Sequence, residues 1–186
     1  MVPLFVGVGL LLVAVILVFN ALVAKKNAVA NAFATIDAYL KKRHDLIPNL
    51  VEAVKGAMTY ERGVLTQLTE MRAQVLSGRL SAGATVDAEN RITTAIGGVL
   101  ASVENYPALR ANENVVKLQG SLNDIEEQIA AARRAYNAAV TDYNNAIEMF
   151  PTNLAASAMG YARQPLLTAP PAEREPIAVG PLSGNR

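Results

Sequence analysis

The chain has 186 residues, a length that suits one domain with additions, and a formal net charge of +1. A chain so near neutrality presents no field to attract nucleic acid, and none is expected as a partner. It holds no cysteine and one histidine, which excludes disulfides, thiolate metal sites, a lipid-modified cysteine and a multi-histidine metal site within one chain.

Residues 1–24 read MVPLFVGVGLLLVAVILVFNALVA and include no charged side chain. As a helix, residues 4–24 extend roughly 32 Å at 1.5 Å per residue, which matches a hydrocarbon core of about 30 Å. A cleaved signal peptide needs a basic start and a small-x-small cleavage site. No Lys or Arg precedes this run, and Leu22 with Ala24 makes a poor cleavage signature. An uncleaved membrane anchor is therefore expected, with the lipid bilayer as its first partner. Lys25 and Lys26 follow it directly, with Lys41, Lys42 and Arg43 further on. The positive-inside tendency then places a short N-terminus outside and the remaining chain in the cytoplasm. No later apolar run approaches 18 residues, so a single span is expected.

Beyond the anchor the pattern is heptad. With Phe33 at position a, the a series runs through Leu40, Ile47, Val54, Glu61, Leu68 and Val75. The d series is Ile36, Arg43, Leu50, Ala57, Val64 and Met71. Only Glu61 and Arg43 are not apolar, which predicts a long helix. Tyr39, Leu46, Val51, Met58 and Leu65 widen the stripe, so it faces two or more neighbours, as in a bundle.

Inside this run lies KKRHDLIPNL, residues 41–50. Pro48 lacks an amide hydrogen and crowds the carbonyl of His44, so the helix either breaks into a hairpin there or continues with a kink. The seven-residue phase holds from Leu40 through Ile47 to Val54 and no glycine supplies a turn, which favours the kink. Arg43 at d faces the seam and needs a carboxylate or carbonyl partner on another helix or another copy. His44 flanks the seam while Asp45 points outward, and sequence neighbours on a helix do not face each other. No catalytic pair is therefore expected, and no residue is assigned a catalytic, cofactor-binding or metal-binding role.

Residues 77–85, SGRLSAGAT, read as a loop. A second helix is predicted over about residues 86–105, with Ile92, Ile96, Val99 and Val103 on its apolar face. Ala95, Gly97 and Gly98 are expected to allow close backbone approach, and Tyr106 with Pro107 to end it. The third helix opens on Asn112 as N-cap, with Glu113 in the first turn. Its a positions are Val115, Leu122, Ile129, Tyr136, Tyr143 and Phe150, and its d positions Leu118, Ile125, Ala132, Ala139 and Ala146. Pro151 stops it. Residues 152–163 suit one short further helix. Six of the nine prolines fall in residues 151–186, and residues 164–186 are expected to form a flexible tail.

The reading is thus all-α: an anchor over 1–24, an elongated bundle of three long helices with a possible short fourth over 25–163, and a tail. The stretches FNALVAKKN (19–27), NAFATIDAYLKKRHDLIPNLVEAVKG (31–56), ENYPALRANEN (104–114) and ARRAYNAAVTDYNNAIEMFPTN (132–153) resemble the LemA family of bacterial membrane proteins. The resemblance covers roughly residues 19–160 and rests most on RHDLIPNLVE and the paired Tyr-Asn steps before Phe-Pro. It implies a translocated N-terminus, one membrane helix, a soluble helical bundle and no established enzymatic activity. One branch of that family is associated with the magnetosome membrane, so an organelle-like membrane is the alternative to the bacterial cytoplasmic one. Where many relatives have an aromatic-rich stretch after Phe-Pro, this chain has QPLLTAPP.

The motif residues singled out are Arg43, His44, Asp45, Pro48, Asn49, Tyr106, Pro107, Tyr136, Asn137, Tyr143, Asn144, Phe150 and Pro151. Tyrosines at a need hydroxyl partners when buried. Asn137 and Asn144, at b, are off the seam and free to meet another helix or subunit. The expected function is a membrane-anchored scaffold that self-associates as a homo-oligomer. The alternative is an adaptor for another membrane protein.

Overall fold

The computed structural model of the protein describes residues 1–58 and 62–168. Among these residues there is no strand, and six helices follow in order: α1 (Val2–Val54), α2 (Arg62–Leu76), α3 (Ala82–Val103), α4 (Pro107–Arg110), α5 (Glu113–Glu148) and α6 (Thr152–Ala158).

The apolar N-terminal run and the first heptads form a single 53-residue helix, α1, about 80 Å long at 1.5 Å per residue. It passes through Pro48 without interruption, as the unbroken seven-residue phase predicted. The heptad run 33–75 is nonetheless divided between two helices. α1 stops at Val54, two residues before Gly56, which favours helix least of all residues except proline. α2 then packs back on α1, its Arg72 reaching the carbonyl of His44. Glu61 of the heptad series lies outside the described residues. Two seam positions are exposed, Phe33 at a and Val64 at d. A phase that persists on paper thus belongs to two elements that fold against each other.

α3 begins four residues earlier than its predicted start, at Ala82, where Ser81 caps the amide of Ala84. Its face of Ile92, Ile96, Val99 and Val103 is buried as expected. Gly97 and Gly98 do not serve close packing: a β-carbon at either would meet nothing within 4 Å. Pro107 both ends α3 and occupies the first turn of α4, where its missing amide hydrogen is no loss. Asn112 caps α5 by accepting from the amides of Asn114 and Val115. α5 ends at Glu148, before the cis peptide bond between Phe150 and Pro151.

α1 and α5 are the antiparallel spine. Lys25 pairs with Asp142 at 3.6 Å, the rings of Phe33 and Tyr136 lie 5.9 Å apart, and Arg43 meets Glu126 at 2.8 Å. Two apolar clusters share this spine. The distal one joins Ile47, Leu50 and Val54 of α1 to α2, α3, α4 and the first turns of α5. The other, nearer the anchor, joins Leu22, Val29 and Ile36 to Ala132, Tyr136, Val140, Tyr143 and Ile147 of α5 and Ala156 of α6. α2 and α3 thus complete the distal half, and α6 completes the half next to the anchor. Bundle contacts reach up to Val18 and Leu22, inside the run assigned to the anchor.

Candidate functional site

Between the two apolar clusters lies a polar layer. Arg43 is fully buried, and its guanidinium forks between two carboxylates. Nη2 pairs with Glu89 Oε2 and lies 3.3 Å from the Glu89 carbonyl; Nη1 donates to Glu126 Oε1 at 2.8 Å and to Thr93 Oγ1 at 2.6 Å. Thr93 in turn donates to Glu126 Oε2 at 3.1 Å. His44 Nε2 sits 2.9 Å from Glu89 Oε1. The required partner of Arg43 is therefore supplied within the chain, by α3 and α5. Four of its five donor hydrogens have an acceptor, while its Nε and His44 Nδ1 are buried without one.

Burial pushes the Glu89 carboxyl upward, but hydrogen bonding to His44 and the charge of Arg43 outweigh that, so it lies below the ordinary glutamate range. Asp37, six residues before Arg43 on α1, is raised by desolvation and by the charge of Glu89. Among the described residues no group of three His, Asp or Glu side chains is placed to hold a metal ion.

Pro48 has a positive role in this layer. Because it has no N–H, the carbonyl of His44 lacks its helical donor. Arg72 Nε on α2 donates to that carbonyl at 2.7 Å. An interior proline therefore creates an acceptor, and α2 fills it. Asp45 and Asn49 are exposed on the opposite side of α1, so Asp45 does not act with His44.

The Tyr-Asn repeat builds a second arrangement. Residues 161–168, in no regular element, run along α5 as a strap. Asn144 donates to the carbonyl of Gln164 and accepts from its amide, both at 2.9 Å. One heptad earlier, Asn137 does the same with Leu167, at 2.9 and 2.8 Å. Each side-chain amide thus imitates a strand partner for one residue. The tyrosine beside each asparagine adds a bond: Tyr143 to the Ala162 carbonyl at 3.2 Å and Tyr136 to the Pro165 carbonyl at 3.4 Å. The asparagines at b bond the chain's own C-terminal segment. QPLL, at the start of the predicted tail, is accordingly held against α5 through Gln164 and Leu167. Beyond Thr168 the tail lies outside the described residues.

The remaining motif residues separate. Tyr106 packs on the distal cluster, and Pro107 starts α4. Phe150, expected at a seam position, is instead 79% exposed, because α5 has already ended. Glu89, Glu126, Thr93 and Arg72 were not singled out from sequence. Glu89 carried a signal: it sits three residues before Ile92, on the same helical face as Ile96, Val99 and Val103. A carboxylate on an apolar stripe is the counterpart of an arginine on another.

A first helix long and apolar enough to cross a membrane, running unbroken into an all-helical bundle, is the architecture of a membrane protein of the helical-bundle class. The chain belongs to the LemA family, whose family model matches residues 32–180. It is similar to Protein LemA of Metamycoplasma hominis, 24% identical over 163 residues, covering 88% of this chain and 74% of that protein. It is also similar to two magnetosome proteins MamQ of Paramagnetospirillum magneticum, each 23% identical over 184 residues, covering 86% of this chain and 68% of each relative. Magnetosome protein MamQ of Magnetospirillum gryphiswaldense is 24% identical over the same length.

Proposed function

We propose that this protein is a non-catalytic scaffold of the bacterial cytoplasmic membrane, held by one span, with its bundle in the cytoplasm and its copies associated. The observation that carries the reading is the state of the polar layer. Arg43, His44 and Glu89 are buried and bonded to one another, so the groups most able to do chemistry serve to join helices. The short N-terminus outside follows from Lys25 and Lys26 immediately after the span. Association is supported by Val64, a seam residue left 37% exposed beside a groove of about 680 Å³ between α2 and α3.

Size and shape of the full-length protein in mild detergent test the reading. Several copies per particle are expected, and a strict monomer at every concentration counts against it. The same groove, lined by Val64, Met71, Asp87 and Arg91 among others, also suits an adaptor that holds a helix of another membrane protein. That reading gains if gentle purification brings down one stoichiometric partner and the chain alone stays single.

A further inference from the structure

We propose that the corner between α5 and α6 is a second membrane contact, an apolar wedge that enters the lipid beside the span. The proposal rests on the reading of residues 1–24 as a span, and its test separates the two. Residues 149–162, MFPTNLAASAMGYA, carry no charge, and the run is bounded by Glu148 and Arg163, which pair at 3.0 Å.

Its depth is set by packing. Ala156 shares a cluster with Leu22, Ile147 and the flanking Val18. Val18 lies six residues before Ala24, hence roughly 9 Å into the apolar run at 1.5 Å per residue. With the span in a bilayer, α6 and the corner stand beside lipid-embedded turns of α1. At the same level Ile16, Leu17 and Phe19 are exposed apolar surface, and Met149 (64%), Phe150 (79%) and Leu154 (65%) extend that surface sideways. Lipid is the occupant that covers both without interruption.

The surrounding groups fit a bilayer boundary. The Lys25–Asp142 pair lies at its base, Glu148 and Arg163 flank the corner as a mutually neutralised pair, and Lys26 sits 4.7 Å over the ring of Tyr161. Lysine and tyrosine are enriched at that depth. Part of the backbone at the corner is also satisfied from within, as apolar surroundings favour. Thr152 Oγ1 lies 2.5 Å from the Ala146 carbonyl and 2.8 Å from that of Met149, and the amide of Asn153 donates to Met149.

The chain has no cysteine, so single-cysteine variants of the full-length protein accept one fluorescent label each. Leu12→Cys reports the span, Phe150→Cys and Leu154→Cys the corner, and Asp124→Cys the distal bundle. All four are placed in phosphatidylcholine–phosphatidylglycerol vesicles, with acyl-chain-brominated lipid or aqueous iodide as quencher. Labels at 12, 150 and 154 are expected to lose most of their emission to the brominated lipid and to resist iodide, with the reverse at 124. If 150 and 154 follow 124 while 12 stays lipid-quenched, the wedge is wrong and the span stands. If 150 and 154 resist both quenchers, protein covers the corner and the wedge is again wrong. If 12 escapes the brominated lipid, the span itself falls and the wedge with it.

Discussion

Glu89 is the hinge of the polar layer, because Arg43 and His44 both depend on it. Its carboxyl lies below the ordinary value of 4.5, so ionisation favours the folded state. That contribution is fully present above pH 4.5 and is lost as pH falls through the lower folded value. Asp37 acts in the opposite sense, because its raised value penalises the ionised folded form and the penalty fades on acidification. Thermal stability is expected to drop below about pH 4.5, with the drop steeper in Asp37→Asn and shallower in Glu89→Gln. At neutral pH Glu89→Gln should cost on the order of 3–5 kcal/mol, since it leaves Arg43 short of a buried counter-charge. An unchanged acid limb in Glu89→Gln would show that the dependence lies elsewhere. Pro48 and Arg72 make a second testable unit. Arg72→Ala leaves the His44 carbonyl unpaired, at a cost of about 1–3 kcal/mol. In a Pro48→Ala background the restored amide supplies that bond, so the same change should cost clearly less. Equal costs in a denaturation cycle would refute the link. At this scale the sequence showed that Arg43 needs a partner but not which one, since two helices apart in sequence had to meet first.

The helices themselves were legible where their signals are local. Asn112 caps α5, α3 is over before Tyr106 and Pro107, and α1 crosses Pro48 because neither glycine nor a change of phase interrupts it; the short α4 that opens on Pro107 was not foreseen. The stop at Val54 was not legible, because the heptad letters keep counting across a reversal of direction. Gly97 and Gly98 were misread as packing positions; their surroundings are open. Gly98→Ala should therefore stabilise by roughly 0.5–1 kcal/mol, the ordinary helix preference of alanine over glycine. Gly78 after α2 behaves differently. Its φ of +65° is left-handed, where a β-carbon costs about 1 kcal/mol or more. Gly78→Ala should destabilise although space around it is equally open. Chemical denaturation of the two variants should shift the midpoint in opposite directions, and shifts of one sign would mean that the backbone angle at Gly78 carries no weight.

Across the molecule the all-helical class and the apolar first helix were evident, since each follows from composition and period alone. Pairing was not, because a heptad stripe states that a face is buried without naming what covers it. The strap is the extreme case: QPLL has no period, and its place is set by two asparagines on another element. Its consequence is mechanical. Among the described residues, the half of the spine near the anchor has α6 and the strap against α1 and α5, whereas the distal half has α2 and α3. Asn137→Ala with Asn144→Ala removes four hydrogen bonds, each worth on the order of 1 kcal/mol. Hydrogen exchange should accelerate first at Gln164 and Leu167, whose amides bond those side chains, and next along residues 136–148 of α5. Exchange in α3 from Ile92 to Val103 should stay slow, because its apolar partners belong to the distal cluster. A uniform rise over both halves would mean that the spine unfolds as one unit and that the polar layer couples rather than separates the two clusters. Unchanged exchange at Gln164 and Leu167 would mean that the asparagines do not hold the strap at all.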